Sequence, residues 1–136
     1  LRVEKKTGEV MIDHFVSSFD VGRVISPQMI RGQIVGGVVM GIGQTLKEKI
    51  EFSDKGDISN ATWARYKIPR IQDAPKKQTV IFVETPEKRG PFGARCVAEH
   101  PMVAVAPTIL NALYDATGRD FLRLPVLPED ILEVLR

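Results

Sequence analysis

The sequence predicts an α+β fold: a mixed sheet with two main helices and a short C-terminal helix, in a single domain over residues 1–136. Alternating apolar residues in residues 9–20 and 78–84 predict strands. A helical period recurs in residues 26–41 and 105–116. Strands and helices do not alternate regularly, which favours α+β over a βαβ fold, and 136 residues is the length of one domain.

The first predicted element is a hairpin. Its strands are residues 1–4 and 9–20, and Lys-Lys-Thr-Gly at residues 5–8 supplies the turn, with Gly8 where a positive φ is favoured. Both faces of the second strand carry apolar side chains, so we expect both to be at least partly covered.

The first main helix starts at Ser26 and Pro27, because serine suits the N-cap and proline the first helical position. The helical segment carries five glycines, at positions 32, 36, 37, 41 and 43. Each costs roughly 1 kcal/mol relative to alanine. A helix with this cost indicates close approach by another backbone or by a ligand. The alternative is tight helix packing through Gly32 and Gly36.

Further elements follow along the chain. Residues 45–52 predict a strand, residues 61–75 a polar and aromatic loop, and residues 78–84 the clearest strand. The second main helix ends at Gly118, and Pro128 begins the short C-terminal helix. The side chains that we expect to turn inward from the second helix are Ile109, Leu110, Leu113 and Tyr114.

Composition excludes several classes of function. Nineteen basic and 17 acidic residues give a net charge of +2, and neither sign forms a block, so we expect no nucleic-acid partner. The single cysteine, Cys96, excludes an internal disulfide, a cysteine-rich zinc site and an iron–sulfur cluster, and we predict no metal ligands. The longest uncharged stretch, residues 32–46, is too short and too glycine-rich for a bilayer span, so we expect no membrane partner. The expected location is the cytoplasm.

Two segments carry the candidate chemistry. One is the glycine-rich helix with Gln33 near its start. The other is residues 90–101, where small residues surround one carboxylate, Glu99. Burial among small apolar groups would raise the proton affinity of that carboxylate and suit it to general-base catalysis. The alternative is a structural glutamate that caps a helix or pairs with Arg95 or Arg23.

Ordered motifs extend over essentially the whole chain. Residues 20–27 fit Asp-x-Gly-x-x-Ile-x-Pro, residues 32–37 read Gly-Gln-Ile-Val-Gly-Gly, and residues 66–69 read Tyr-Lys-Ile-Pro. Residues 90–99 read Gly-Pro-Phe-Gly-Ala-Arg-Cys-Val-Ala-Glu, and residues 106–118 fit Ala-Pro-x-Ile-x-Asn-Ala-x-Tyr-Asp-Ala-Thr-Gly. In this order the motifs resemble the C-terminal part of the molybdenum-binding large subunit in the xanthine dehydrogenase/aldehyde oxidase family.

The resemblance implies a subdomain of a larger molybdenum-binding subunit. That family hydroxylates an aldehyde or N-heteroaromatic carbon with oxygen from water at a molybdenum–molybdopterin cofactor. The resemblance makes Glu99 the catalytic base. It assigns the cofactor contacts to Gln33, Gly36, Gly37, Arg95, Cys96, Val97 and Ala98. The implied partners are the remainder of the large subunit, iron–sulfur clusters with or without FAD on partner domains or subunits, and a small-molecule substrate. We expect the isolated chain to be inactive.

Residues 96–98 depart from the family pattern, because Cys-Val-Ala replaces Gly-Val-Gly. Side chains then stand where bare backbone usually approaches the cofactor. Arg95 replaces a lysine and keeps its charge but not its shape. An alternative function is a non-catalytic interaction or assembly module that retains the fold without the cofactor. This alternative is favoured if the side chains of residues 96–98 fill the cofactor space.

Overall fold

A computed structural model describes all 136 residues. In chain order the elements are β1 Arg2–Val3, β2 Val10–Met11, β3 His14–Asp20, α1 Pro27–Leu46, α2 Trp63–Tyr66, β4 Lys77–Val83, α3 His100–Val103, α4 Val105–Thr117 and α5 Pro128–Val134. Short 3₁₀ turns at Ile71–Asp73 and Pro91–Gly93 interrupt the loops. None of the helices combines the length and the hydropathy that a membrane span requires.

The strands form two small sheets, which confirms the α+β class. Instead of one mixed sheet, β1 pairs antiparallel with β2, and β3 pairs parallel with β4. The predicted second hairpin strand divides at residues 12–13, since its two halves have different partners. Asp13 lies at the division: its carboxylate accepts two 2.8 Å hydrogen bonds from the Arg2 guanidinium, and its carbonyl accepts the N–H of Lys77.

The helix α1 starts where the sequence predicts, with Ser26 at the N-cap and Pro27 in the first turn. It continues to Leu46, so the strand predicted over residues 45–52 is wrong. Thr45 is buried in the last turn, and its Oγ1 donates to the carbonyl of Gly41 at 2.6 Å. Within the predicted strand, strand pairing is limited to an isolated bridge between Phe52 and Ile58.

The hydrophobic core lies where α1, α4 and α5 meet. Its buried members are Val38, Ile42, Val105, Ile109, Leu113, Val126 and Ile131. The predicted inward face of α4 is confirmed at Ile109 and Leu113, whereas Tyr114 is 49% exposed. Gly118 ends α4 with φ of 70°, as its glycine predicts.

Three of the five helical glycines bring α1 close to other parts of the chain, and one of them, Gly43, lies against the Pro69 ring. A Cβ added at Gly37 would lie 2.8 Å from Cβ of Pro101, and one at Gly41 would lie 2.5 Å from Cβ of Val105. Close approach to another part of the chain is therefore confirmed at Gly37. Gly32 and Gly36 have no such neighbour within 4 Å, so packing through that pair is wrong. Their side of α1 is open.

The parallel sheet has one covered face and one open face. On the covered face, the Arg31 guanidinium of α1 lies 5.6 Å from the ring centroid of Phe82, and Phe19 meets His100 edge-on at 5.2 Å. On the opposite face, Val16 is 55% exposed and Ile81 47%. The expectation that both faces of β3 are covered is therefore wrong within this chain.

Candidate functional site

The 95–99 segment, residues 95–99, links the loop after β4 to α3. The N–H of Arg95 donates to the carbonyl of Val21 at 2.9 Å, and the carbonyl of Glu99 accepts the N–H of Met102 at 3.0 Å. Between these anchors, the N–H groups of residues 96–98 make no hydrogen bond within the chain. The segment therefore offers consecutive main-chain donors, held at both ends.

Glu99 lies at the N-cap of α3 with its side chain exposed. The carboxylate makes no capping hydrogen bond, and the guanidinium of Arg95 pairs with other carboxylates. The capping and ion-pair alternatives thus find no contact in the structure. The burial that the sequence interpretation required is also missing, because Glu99 is exposed.

The glycine-rich side of α1 lies next to this segment. Gln33 and Gly37 are four residues apart, so they share a face of the helix, about 6 Å apart along its axis. Gly37 is buried against Pro101, two residues after Glu99, whereas Gln33 and Gly36 are exposed. The Gly37–Pro101 contact therefore joins α1 to the start of α3, one helical turn after Gln33 and two residues after Glu99.

Arg95 is engaged with groups of its own chain. Its Nε lies 3.7 Å from Oδ1 of Asp20, and its Nη2 lies 3.8 Å from Oε2 of Glu87. The same Nη2 donates to the carbonyl of Thr85 at 3.5 Å. The charge of Arg95 is thus directed to the loops beside it.

Sequence reasoning missed Asp20 as a member of this site. Its Oδ1 accepts the N–H of Gly22 at 2.9 Å and the N–H of Thr85 at 3.2 Å. These hydrogen bonds, the one from Gly22 foremost, hold the pKa of Asp20 below its ordinary value, and the charge of Arg95 adds to the effect. The signal was present in the sequence, as the first residue of the Asp-x-Gly motif at residues 20–27.

The side chains of residues 96–98 are small or lie at the surface. Cys96 is an exposed free thiol, Ala98 is exposed, and Val97 is half-buried. None of them joins the hydrophobic core. The short helix α3 was also missed, although Pro101 in its first turn is typical of a helix start.

The sequence profile of the molybdopterin cofactor-binding domain matches residues 1–75, more than half of the chain. The chain belongs to this family. It is 36% identical to the aldehyde oxidoreductase of Megalodesulfovibrio gigas over 98% of its own length and 14% of that protein. It is 31% identical to the molybdenum-binding subunit of an Escherichia coli aldehyde oxidoreductase, over 98% of this chain and 18% of the subunit.

Solved structures of family members agree with the fold. The crystal structure of the aldehyde oxidoreductase from Desulfovibrio desulfuricans matches 98% of this chain and 14% of that chain, with a TM-score of 0.88 and 35% identity. The resemblance to the xanthine dehydrogenase/aldehyde oxidase family is thereby confirmed. The chain spans between 14% and 18% of the curated relatives described above.

Proposed function

We propose that this member of the molybdopterin cofactor-binding domain family forms one wall of the active site of a molybdenum hydroxylase. The substrate class is an aldehyde or an N-heteroaromatic compound, in which a carbon gains oxygen derived from water. The observation that carries the proposal is that Glu99 is exposed and unpaired, directly follows the free N–H groups of residues 96–98, and precedes the contact of Pro101 with Gly37 of α1. The names of the relatives support the same chemistry.

The residues present fit a pterin cofactor. Gln33 presents an exposed amide with both donor and acceptor atoms, which suits the nitrogen- and oxygen-rich edge of a pterin. Gly32 and Gly36 have no side chain and no neighbour within 4 Å, so a flat group can approach the α1 backbone at these two positions. The N–H groups of residues 96–98 are donors for its oxygen atoms. When bound, the cofactor supplies the redox chemistry of the hydroxylation at molybdenum.

Glu99 acts as the general base. Its carboxylate oxygen atoms accept a proton during the reaction, and a positioned base typically contributes about 10²–10⁴-fold to the rate. The carboxylate is free for this task because neither Arg95 nor Arg23 pairs with it. Its backbone is fixed by the hydrogen bond from Met102, which sets where the side chain leaves α3.

The remainder of the large subunit completes the site. Substrate contacts and the rest of the cofactor contacts belong to that part. Iron–sulfur clusters, with or without FAD, on partner domains or subunits take up the electrons. The open face of the parallel sheet, with Val16 and Ile81 exposed, supports a further covering layer, since parallel sheets are normally covered on both faces.

The decisive experiment replaces the base in the complete enzyme. Glu99→Gln keeps the size of the side chain but removes its ability to take a proton, so turnover should fall at least about 10²-fold. Molybdenum content should stay unchanged. Glu133→Gln, on the exposed side of α5, is the matched control and should keep full turnover. Near-normal turnover in Glu99→Gln would favour the non-catalytic interaction or assembly module instead.

A further inference from the structure

Asp20 and Arg95 connect the end of β3 to the 95–99 segment. We propose that these two residues form a positioning pair, which fixes the 95–99 segment and thereby sets the place of Glu99. The catalytic part of this proposal rests on the role proposed for Glu99. Neither residue touches the reacting atoms in this proposal, and Arg95 is assigned to the protein framework instead of to direct cofactor contact.

The first support is the number of segments that meet at one carboxylate. Oδ1 of Asp20 accepts the N–H of Gly22 at 2.9 Å and the N–H of Thr85 at 3.2 Å, and it lies 3.7 Å from Nε of Arg95. Three stretches of chain are joined there: the end of β3, the loop after β4, and the 95–99 segment. A neutral side chain could accept the N–H groups but would attract the guanidinium much more weakly.

The second support is the close approach of the two backbones beside the pair. Gly22 and Ala94 form an antiparallel bridge, and the N–H of Arg23 donates to the carbonyl of Gly93 at 2.8 Å. Gly22 has φ of +66°, and a Cβ there would lie 2.5 Å from the carbonyl oxygen of Gly93. Backbone hydrogen bonds thus hold the chain in place as far as Arg95, whose N–H donates to the carbonyl of Val21.

The third support is that these backbone hydrogen bonds stop directly after Arg95. After Arg95, the N–H groups of residues 96–98 have no partner in the chain until α3 begins. Arg95 is therefore the restraint nearest to Glu99 on its N-terminal side. Its guanidinium reaches Asp20, Glu87 and the Thr85 carbonyl from one planar group, which a lysine ammonium cannot reproduce in the same geometry.

The single cysteine of the chain allows a direct test, because Cys96 is exposed and follows Arg95 immediately. A nitroxide attached to Cys96 of the 136-residue chain reports the motion of the segment by electron paramagnetic resonance. Arg95→Met and Asp20→Asn should both narrow the spectrum, which corresponds to faster motion. Asp20→Asn keeps the oxygen that accepts the N–H groups of Gly22 and Thr85, so it removes chiefly the charge.

The matched control is Asp13→Asn, which weakens the other aspartate–arginine pair, between Asp13 and Arg2. Its spectrum should equal that of the parent, and narrowing as large as in Asp20→Asn would overturn the proposal. An unchanged spectrum in folded Arg95→Met would also overturn it. If circular dichroism shows that Arg95→Met does not fold, Arg95→Lys takes its place. The nitroxide on Cys96 of Arg95→Lys must then move faster than the nitroxide on the parent for the proposal to stand.

Kinetic measurements on the complete enzyme provide a separate test. Arg95→Met should lower kcat by up to about 10²-fold with KM and molybdenum content unchanged, since small misplacements of a catalytic group have effects of that size. In a Glu99→Gln background the same change should cause no further loss, because the pair acts through Glu99. Independent, multiplying losses would overturn the proposal. If Glu99→Gln alone keeps full turnover, the proposed function fails, while the mobility of the label still reports on the pair.

Discussion

Gly37 of α1 and Pro101 of α3 lie so close that a Cβ on the glycine would be 2.8 Å from Cβ of the proline. This spacing is shorter than an ordinary van der Waals contact, so the α1 backbone at Gly37 packs directly against the Pro101 side chain. Glu99 precedes the contact by two residues, and Gln33 lies one turn earlier on α1. One glycine therefore determines how near the candidate base lies to the candidate cofactor-binding side of the helix.

Gly37→Ala should destabilise the protein, although alanine is the better helix former. The added methyl group meets Pro101, and overpacking of this kind typically costs about 1–3 kcal/mol. Gly36→Ala is the matched control, because nothing lies within 4 Å of that position. It should gain up to about 1 kcal/mol from helix propensity. Urea unfolding measures both, and equal stabilities would contradict the packing role of Gly37.

Glu99→Gln should leave the free energy of unfolding of the chain within about 0.5 kcal/mol of the parent, as is usual for surface substitutions. The reason is that the carboxylate makes no capping bond and no ion pair. Chemical denaturation followed by circular dichroism measures the difference. A loss well above that figure would assign Glu99 a structural role.

Acidification should weaken the fold through Asp20. The N–H of Gly22 and the other groups around Asp20 hold its pKa below the ordinary value of 3.8 in the folded state. Such a group stabilises the fold above the unfolded-state pKa, and this stabilisation is lost as the pH falls through the lower folded-state pKa. The free energy of unfolding should therefore decrease as the pH falls below 3.8.

Asp20→Asn should show a shallower decrease across the same pH range. It should not abolish the decrease, because the pKa values of Asp13 and Asp73 are lowered as well. Urea titrations at a series of pH values provide the comparison. A variant as pH-dependent as the parent would show that Asp20 is not responsible.

The isolated chain should contain no molybdenum and oxidise no aldehyde or purine. Gln33, Cys96, Ala98 and Glu99 are exposed, and exposed residues of this chain alone cannot enclose a cofactor and exclude water from it. Elemental analysis and an aldehyde or purine oxidation assay test this expectation. Stoichiometric molybdenum in the purified chain would contradict it.

Local signals predicted the helices that begin or end with special residues. Pro27 and Pro128 mark the starts of α1 and α5, and Gly118 ends α4, because each acts through its own backbone conformation. The strand predicted over residues 45–52 was wrong because α1 continues to Leu46, in a region where Gly43 contacts Pro69 from a distant part of the chain. That contact cannot be inferred from an alternating pattern.

In the candidate site, too, local sequence signals could be interpreted, whereas contacts between distant segments could not be predicted. Its members, Glu99 and Gln33 foremost, could be selected from motifs in the sequence, and their assigned roles remain proposals. The surroundings could not be predicted, since they depend on which segments meet in space. Glu99 is exposed instead of buried, and Arg95 faces Asp20 and Glu87. The residue types indicate which chemistry a side chain can perform, whereas the side chains that it contacts depend on the tertiary fold.

The parallel register of β3 and β4 has a consequence for folding kinetics. His14 and Thr79 share a 2.9 Å hydrogen bond across the strands but are 65 residues apart in sequence. A long loop must close before this sheet gains its first hydrogen bond, and non-local pairing of this kind slows folding. We expect α1 and α4, whose hydrogen bonds are local, to form early, and the β3–β4 pair to complete the rate-limiting step. Stopped-flow refolding should then be slowed more by substitutions at Val80 than by substitutions of equal cost at Ile131.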